Sequence, residues 1–212
     1  MKILYVLAHP NPKSFNGHLA EEAVTHLASS HEVKFSDLYQ ENFNSVASLQ
    51  DFNLPTHAKD EAFFLMQQAA FNEQRLSPDI TKALEQVQWA DHLIFQFPLW
   101  WFATPAILKG WFDRILVKGF AYDANKIFDD GLLKGKKASI VTSTQSPATA
   151  YQTDGVHGAT LDTFLHPIHH TLRFVGMQIS SPFVTYGAFN LTLEQQKNII
   201  KNYKNYLDHL FK

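Results

Sequence analysis

Three large aromatic side chains, Trp100, Trp101 and Phe102, lie two residues after one short apolar segment. That segment, residues 92–97, is too short for a helix and is followed by a proline, so it predicts a buried strand. In an open parallel sheet, ligands bind outside the carboxyl ends of the strands, near the point where the strand order reverses. We therefore expect these rings to line a planar aromatic ligand. Rings buried in an ordinary core are the alternative interpretation.

A second group of candidate residues lies ahead of the first predicted helix. The loop after the apolar strand 3–8 begins with His9 and ends with Ser14, Phe15 and Asn16, and apolar residues then recur at helical spacing. Backbone N–H groups and the helix dipole at such a terminus attract anions such as phosphate. The loop predicts a phosphate subsite, with an ordinary capped turn as the alternative. The G-x-G-x-x-G and G-x-x-x-x-G-K-[ST] motifs do not occur in the chain.

A third loop, after the predicted strand 138–142, carries hydroxyl groups, an amide, a phenol and an imidazole. These are supplied by Ser143, Thr144, Gln145, Ser146, Tyr151 and His157. Such groups donate and accept hydrogen bonds, as the polar edge of a bound ring requires. The alternative is that Tyr151 and His157 are ordinary residues on a loop surface.

Strands and helices alternate along the chain, which predicts one flavodoxin-like α/β domain over residues 1–212, a three-layer sandwich with a five-stranded parallel sheet. The predicted strands are 3–8, 31–38, 92–97, 138–142 and 177–186. We expect the order 2-1-3-4-5, which puts the last strand at an edge, because Pro182 cannot donate a hydrogen bond to a neighbour. The loops after strands one, three and four then meet at one end of the sheet.

Capping signals and periodicity predict the helices. One begins at Thr104 and Pro105, one at Ser77 and Pro78, and the last at the capping box of Thr192 and Gln195. Residues 60–74 are predicted to be helical, and so are residues 161–175, with an interruption near Pro167. Residues 39–59 are polar and longer than a simple connection requires, so we interpret them as a lid or a partner contact.

Composition excludes several classes of function. The net charge is −2 and the lysines form no basic stripe, so nucleic acid is not an expected partner. No stretch is long and apolar enough for a membrane span, and the apolar start of the chain is interpreted as a strand rather than a signal peptide. The chain has no cysteine, which fits a cytoplasmic protein. His166, His169 and His170 lack a nearby carboxylate, so we predict no metal site.

A site built from the three loops suits a flavin. The phosphate would lie on the first loop, the isoalloxazine ring against the second, and its polar edge toward the third. Because the chain offers no thiol and no metal cluster, a two-electron redox role requires an organic cofactor.

The sequence resembles the NAD(P)H:quinone oxidoreductases of the DT-diaphorase and modulator-of-drug-activity type. The resemblance covers about residues 1–190 and is carried by HPNPKSFN, FPLWWFATPAILKGWFDR, GFAYD, KGKKA and the segment from Tyr151 through Gly155-Val156-His157-Gly158. It implies a flavodoxin-like fold, bound FAD, NADPH or NADH as hydride donor, a quinone acceptor, and a homodimer with the active site at the subunit interface.

The resemblance also implies residue roles. His9, Ser14, Phe15 and Asn16 would hold the phosphates, and the ring would be cradled by Pro98, Leu99, Trp100, Trp101 and Phe102. Tyr151 and His157 would be the catalytic pair and Tyr122 a substrate-binding residue.

This chain departs from the family pattern in two places. The family has T-G-G where this chain has Thr144-Gln145-Ser146, and the long C-terminal extension of mammalian members has no counterpart up to Lys212. FMN is therefore an alternative to FAD. Two alternative functions are reduction of azo or nitro aromatics and a role as the flavin-binding regulatory subunit of a potassium efflux system.

Overall fold

A computed structural model describes residues 1–55 and 61–212. The strands are β1 (Lys2–Leu7), β2 (Glu32–Asp37), β3 (His92–Pro98), β4 (Lys137–Ser143), β5 (Gln178–Ile179) and β6 (Phe183–Thr185). The helices are α1 (Phe15–Ala28), α2 (Phe63–Asn72), α3 (Pro78–Trp89), α4 (Ala106–Ile115), α5 (Leu161–Phe174) and α6 (Leu193–Leu210). Within the described ranges, no helix has the length and apolar character needed to cross a bilayer.

The sheet is parallel with the order β2-β1-β3-β4-β5, which confirms the predicted flavodoxin-like topology. Alternate residues of each strand face opposite layers, as the two-residue repeat of a strand requires. Leu4 and Phe95 pack toward the layer of α3, α4 and α5, whereas Tyr5 and Ile94 pack toward α1 and α6. The register places Pro98 beside Ser143 and Ser143 beside Thr185, so the carboxyl ends of three strands lie at the same level.

The predicted fifth strand, 177–186, is divided. β5 and β6 both pair with β4, and the connection between them contains Pro182. Because proline has no N–H group, it cannot continue a ladder, and this explains both the break and the position at the sheet edge.

Two helix predictions need correction. Helix α4 begins at Ala106 with Pro105 as its N-cap, so Thr104 makes no capping bond and the helix starts one residue later than predicted. Helix α5 continues through Pro167 without interruption. Because Pro167 has no N–H group, the Thr163 carbonyl loses its helical hydrogen bond. Both residues are on the exposed side of the helix, where water can donate a hydrogen bond to that carbonyl.

The long segment 39–59 is described as far as residue 55. Its Ser48 caps a short 3-10 turn, Leu49–Asp51, and Asp51 forms an ion pair with the buried Arg114 of α4. The remainder of the segment, with residue 60 of the predicted helix 60–74, lies outside the described residues, and a lid role stays a prediction.

Candidate functional site

The loops after β1, β3 and β4 enclose a cleft of about 760 Å³ at the carboxyl end of the sheet. The predicted cofactor-binding and catalytic residues line it together: His9, Ser14, Phe15, Asn16, Pro98, Leu99, Trp100, Trp101, Phe102, Ser143, Thr144, Gln145, Ser146, Tyr151 and His157. The topology produces this convergence, because β1 and β3 are neighbours whose following helices pack on opposite faces.

The N-terminus of α1 forms one end of the cleft. The Ser14 hydroxyl accepts a hydrogen bond from the Gly17 N–H at 3.1 Å. A Cβ at Gly17 would lie 2.1 Å from the Pro12 carbonyl oxygen, so this tight loop requires glycine. Among the described residues, the N–H groups of Phe15 and Asn16 have no acceptor. Two free donors at the start of a 14-residue helix can donate hydrogen bonds to an anion.

His9 lies beside the N-terminus of α1, with Nδ1 3.0 Å from the Ser14 hydroxyl oxygen. Burial lowers the pKa of His9, although a hydrogen bond to the Asn11 carbonyl and the charge of Asp37 oppose the effect. The imidazole is therefore neutral at pH 7. The attraction for an anion at this end comes from backbone N–H groups and the helix dipole rather than from a cation.

The aromatic loop after β3 is a two-residue turn. Trp100 and Ala103 exchange two backbone hydrogen bonds of 3.0 Å, and the central residues Trp101 and Phe102 have φ values of 51° and 62°. Left-handed backbone costs about 1–2 kcal/mol for a residue with a Cβ, and this turn type normally selects asparagine and glycine. Such strain in two aromatic residues is typical of a functional site. It leaves Trp101 93% exposed, with Phe102 lining the cleft.

The loop after β4 is fixed by the segment that follows β6. The Thr144 N–H donates to the Thr185 carbonyl at 2.9 Å, and the Ala188 N–H donates to the Thr144 carbonyl at 2.8 Å. In the described structure, the N–H groups of Gln145 and Ser146 have no acceptor, so they are available to a ligand. Neither residue has a positive φ. The backbone path therefore does not require the glycines that the family pattern has here.

The rings of Tyr151 and His157 pack in a tilted arrangement, with centroids 4.7 Å apart and an interplanar angle of 50°. The backbone N–H of His157 donates to the Ala150 carbonyl at 3.2 Å. Nε2 of the His157 ring lies 3.2 Å from the Ser146 hydroxyl oxygen. A Cβ at Gly155 would lie 2.4 Å from the Thr149 carbonyl oxygen, so the glycine permits this compact loop. The loop presents a phenol and an imidazole together to one side of the cleft.

The structure does not bring Tyr122 to this cleft. Its ring packs against Phe174 of α5 at 5.5 Å between centroids. Conversely, sequence reasoning missed Ala188 and Phe189, which line the cleft from the short turn after β6. Their position just after the end of the last strand is the signal that could have identified them, since strand ends in such sheets border the ligand site.

The histidines of α5 do not converge. The rings of His166 and His170 stack at 5.6 Å on the exposed face of the helix, while His169 is half-buried. Within the described residues, no group of three or more histidine, cysteine, aspartate or glutamate side chains is arranged to hold a metal ion.

The comparisons with known proteins agree with this geometry. The sequence profile for the flavodoxin-like fold matches residues 1–210. A ribosyldihydronicotinamide dehydrogenase (quinone) from Mus musculus is 39% identical over 100% of this chain and 92% of its own length. An NAD(P)H dehydrogenase (quinone) 1 from Rattus norvegicus is 38% identical over 98% of this chain and 76% of its own length.

A solved structure from Klebsiella pneumoniae, assigned as a quinone reductase, superimposes with a TM-score of 0.93. It is 34% identical and covers 100% of this chain and 85% of that one. The chain therefore belongs to the flavodoxin-like family that contains the NAD(P)H and ribosyldihydronicotinamide dehydrogenases (quinone).

Proposed function

We propose that this protein is a flavin-dependent NAD(P)H:quinone oxidoreductase. The observation that carries the proposal is the cleft, which combines free N–H donors at a helix N-terminus, a wall of aromatic rings, and a phenol with an imidazole. The family relationship supports the same oxidoreductase activity. The cytoplasm is the proposed location, since NAD(P)H is supplied there.

The residues of the cleft fit a flavin nucleotide. The Phe15 and Asn16 N–H groups would bind its phosphate, and the segment from Pro98 to Phe102 would pack against its ring. The Gln145 and Ser146 N–H groups would donate to the polar edge of the ring. We propose FAD as the cofactor, with FMN as the alternative. Identification of the bound pigment distinguishes the two.

When bound, the flavin supplies the two-electron chemistry, accepting a hydride from the nicotinamide and passing it to the quinone. The chain's contribution is electrostatic and positional. The Tyr151 hydroxyl and the His157 imidazole would donate hydrogen bonds to the oxygen on which negative charge develops. The Ser146 hydroxyl orients the imidazole through Nε2. The rings of Trp100 and Phe102 would exclude water from one side of the reacting centre.

A homodimer is proposed as the working form. Trp101 and Phe189 at the edge of the cleft are 93% and 77% exposed, and a second copy of the chain would cover such rings. Because Tyr122 lies outside its own cleft, its proposed role in substrate binding requires that it reach the cleft of the partner. Sedimentation of the purified protein tests this assembly, and a monomer at working concentration would remove the role of Tyr122.

One experiment tests the proposal as a whole. The purified protein is expected to be yellow, and heat should release a pigment that chromatography identifies as FAD or FMN. NADH, NADPH and dihydronicotinamide riboside are then offered with and without menadione. The third donor is included because, among the described residues, no lysine or arginine lines the cleft to pair with a donor's phosphates. Colourless protein that fails to bind added flavin at micromolar concentration would refute the proposal.

A further inference from the structure

A chain of buried hydrogen bonds connects helix α6 to the cleft through the centre of the sheet. The hydroxyls of Tyr203 and Tyr5 lie 3.0 Å apart, and the Tyr5 hydroxyl also contacts Oε1 of Gln96. Nε2 of Gln96 lies 2.7 Å from the Asn16 carbonyl oxygen. All three side chains are at most 1% exposed. The path therefore ends at the second residue of α1, where the proposed phosphate subsite lies.

The direction of every bond in this path follows from the end at the Asn16 carbonyl. A carbonyl oxygen only accepts, so the amide nitrogen of Gln96 must face Asn16 and its oxygen must face Tyr5. Tyr5 then donates to Gln96, and Tyr203 donates to the oxygen of Tyr5. Burial raises the pKa of both phenols well above the ordinary value, so both keep their protons. Reversing one group would leave a buried donor or acceptor without a partner, which is costly.

At Asn16 the path also joins the carboxyl end of β4. Nδ2 of Asn16 lies 2.9 Å from the Ser143 hydroxyl oxygen, and that hydroxyl lies 3.2 Å from Oδ1 of the same amide. Asn16 is thus held at both its carbonyl and its side chain. The backbone N–H of Asn16 has no acceptor among the described residues, so no protein group competes with a ligand for it.

We propose that Tyr5, Gln96 and Tyr203 are positioning residues that fix the first turn of α1 so that its free N–H groups bind the phosphate of the flavin. The proposal rests on the flavin-dependent function above. None of the three lines the cleft, so each acts through Asn16. A phenol in the central strand β1 then has a function that an apolar residue could not supply.

The test compares two probes, FAD and riboflavin, which share the ring and the ribityl chain, whereas only FAD carries the pyrophosphate and the adenosine. Apoprotein is titrated with each, and flavin fluorescence gives the dissociation constant. We expect Tyr5→Phe to weaken FAD binding by about three- to tenfold, the size of one lost hydrogen bond in a network, and to leave riboflavin binding within about twofold. Tyr203→Phe should have a smaller effect in the same direction, because Tyr5 still donates to Gln96.

Tyr206→Phe is the matched control. It removes a phenol from the same helix, where the hydroxyl donates to the Ser181 carbonyl at 2.7 Å and has no connection to Asn16. We expect it to lower the melting temperature without changing the affinity for either probe. Gln96→Met removes the central amide and should give the largest loss for FAD; if that variant does not fold, Tyr5→Phe still decides the question.

The outcomes separate the two proposals. Equal losses for FAD and riboflavin, or no loss in Tyr5→Phe, would overturn the positioning role while leaving the flavin function intact. A wild-type protein that binds neither probe would overturn the proposed function itself.

Discussion

The rings of Phe102 and His157 meet in a T-shaped arrangement, with 5.1 Å between centroids and an interplanar angle of 74°. This contact joins the strained aromatic turn after β3 to the loop after β4. Phe102 also contacts Phe164 of α5 at 5.0 Å. Aromatic pairs of this kind contribute about 0.5–1.5 kcal/mol beyond the area they bury. The two loops are thus held in one arrangement, with the imidazole fixed by contacts within the protein.

Because the imidazole is already positioned, its removal should affect turnover more than cofactor binding. We expect Tyr151→Phe and His157→Ala each to lower kcat for NAD(P)H-dependent menadione reduction by about 10- to 100-fold. Loss of one preorganised donor costs about 10²–10³ in enclosed sites, and this cleft is open enough for water to substitute in part. Stopped-flow rates measured at equal flavin content test the expectation.

The matched control for these variants is Tyr186→Phe. The Tyr186 ring contacts Tyr151 at 5.8 Å but does not line the cleft. Its rate should equal that of the wild type. If Tyr151→Phe combined with His157→Ala also retains the wild-type rate, the catalytic assignment is wrong.

We expect Trp101 to lower the stability of the apoprotein and to contribute to ligand binding. Its side chain is 93% exposed and its φ is 51°, so in the free protein it adds strain with little packing. We expect Trp101→Asn to raise the free energy of unfolding of the apoprotein by about 0.5–1 kcal/mol, because asparagine tolerates left-handed backbone. The same variant should bind flavin more weakly, since a ring of the cleft is lost.

Trp101→Ala separates the two effects. Alanine removes the ring without tolerating the backbone conformation better, so it should lose flavin affinity to the same extent without the gain in stability. Denaturant unfolding of both apoproteins provides the comparison. Equal stabilities for the two variants would contradict the strain argument.

His92 should make the fold sensitive to acid. The side chain is fully buried, Nε2 lies 2.7 Å from the Ser139 hydroxyl oxygen, and Nδ1 has no partner among the described residues. Burial, with a smaller contribution from the charge of Lys137, lowers the pKa of His92 from 6.5 to about 4. The unfolded chain therefore takes up this proton first as the pH falls. Stability is complete above pH 6.5 and declines by roughly 3 kcal/mol toward pH 4.

His92→Gln removes the titrating group while retaining a partner for Ser139. Unfolding by urea at pH 7.5, 6, 5 and 4.5 should give a smaller acid-induced loss in the variant than in the wild type. The comparison concerns the change in the free energy of unfolding with pH rather than its absolute value. A pH-independent loss of stability caused by the substitution therefore does not affect it. Parallel curves for the two proteins would exclude His92 as the source.

The fold could be predicted largely because hydrophobic runs and turn residues act locally. Residues 92–97 contain no polar residue except His92 and Gln96, and the strand that they predict agrees with β3 within one residue. The errors arise where a local signal has more than one outcome. A proline in a helical pattern usually ends the helix. At Pro167 only one exposed carbonyl loses its partner, so the packing of α5 determines that the helix continues.

The site was predictable in outline because parallel topology brings strand ends together whatever the loops contain. What sequence could not show is how polar groups are paired across long separations. Gln96 and Asn16 are 80 positions apart, and Arg114 and Asp51 are 63 apart. No periodicity links such residues. Arg114 lies beside the apolar face of α4, where the pattern gave no sign that its charge is buried.

Arg114 provides the last prediction, because its two ion pairs differ in burial. It donates to both carboxylate oxygens of Asp51, at 2.9 and 3.1 Å, and each of these side chains is only 2% exposed. The second partner, Asp79, is 41% exposed.

Arg114→Met leaves the Asp51 charge buried and unpaired, so we expect it to lower the free energy of unfolding by about 3–5 kcal/mol. Asp79→Asn should cost at most about 1 kcal/mol, since water screens that pair. Urea unfolding of Arg114→Met, Asp79→Asn, Asp51→Asn and the double variant Arg114→Met with Asp51→Asn tests this explanation. The double variant removes the unpaired charge and should recover part of the loss. If it is as unstable as the sum of its single changes, the cost comes from lost packing around α4 and not from the stranded carboxylate.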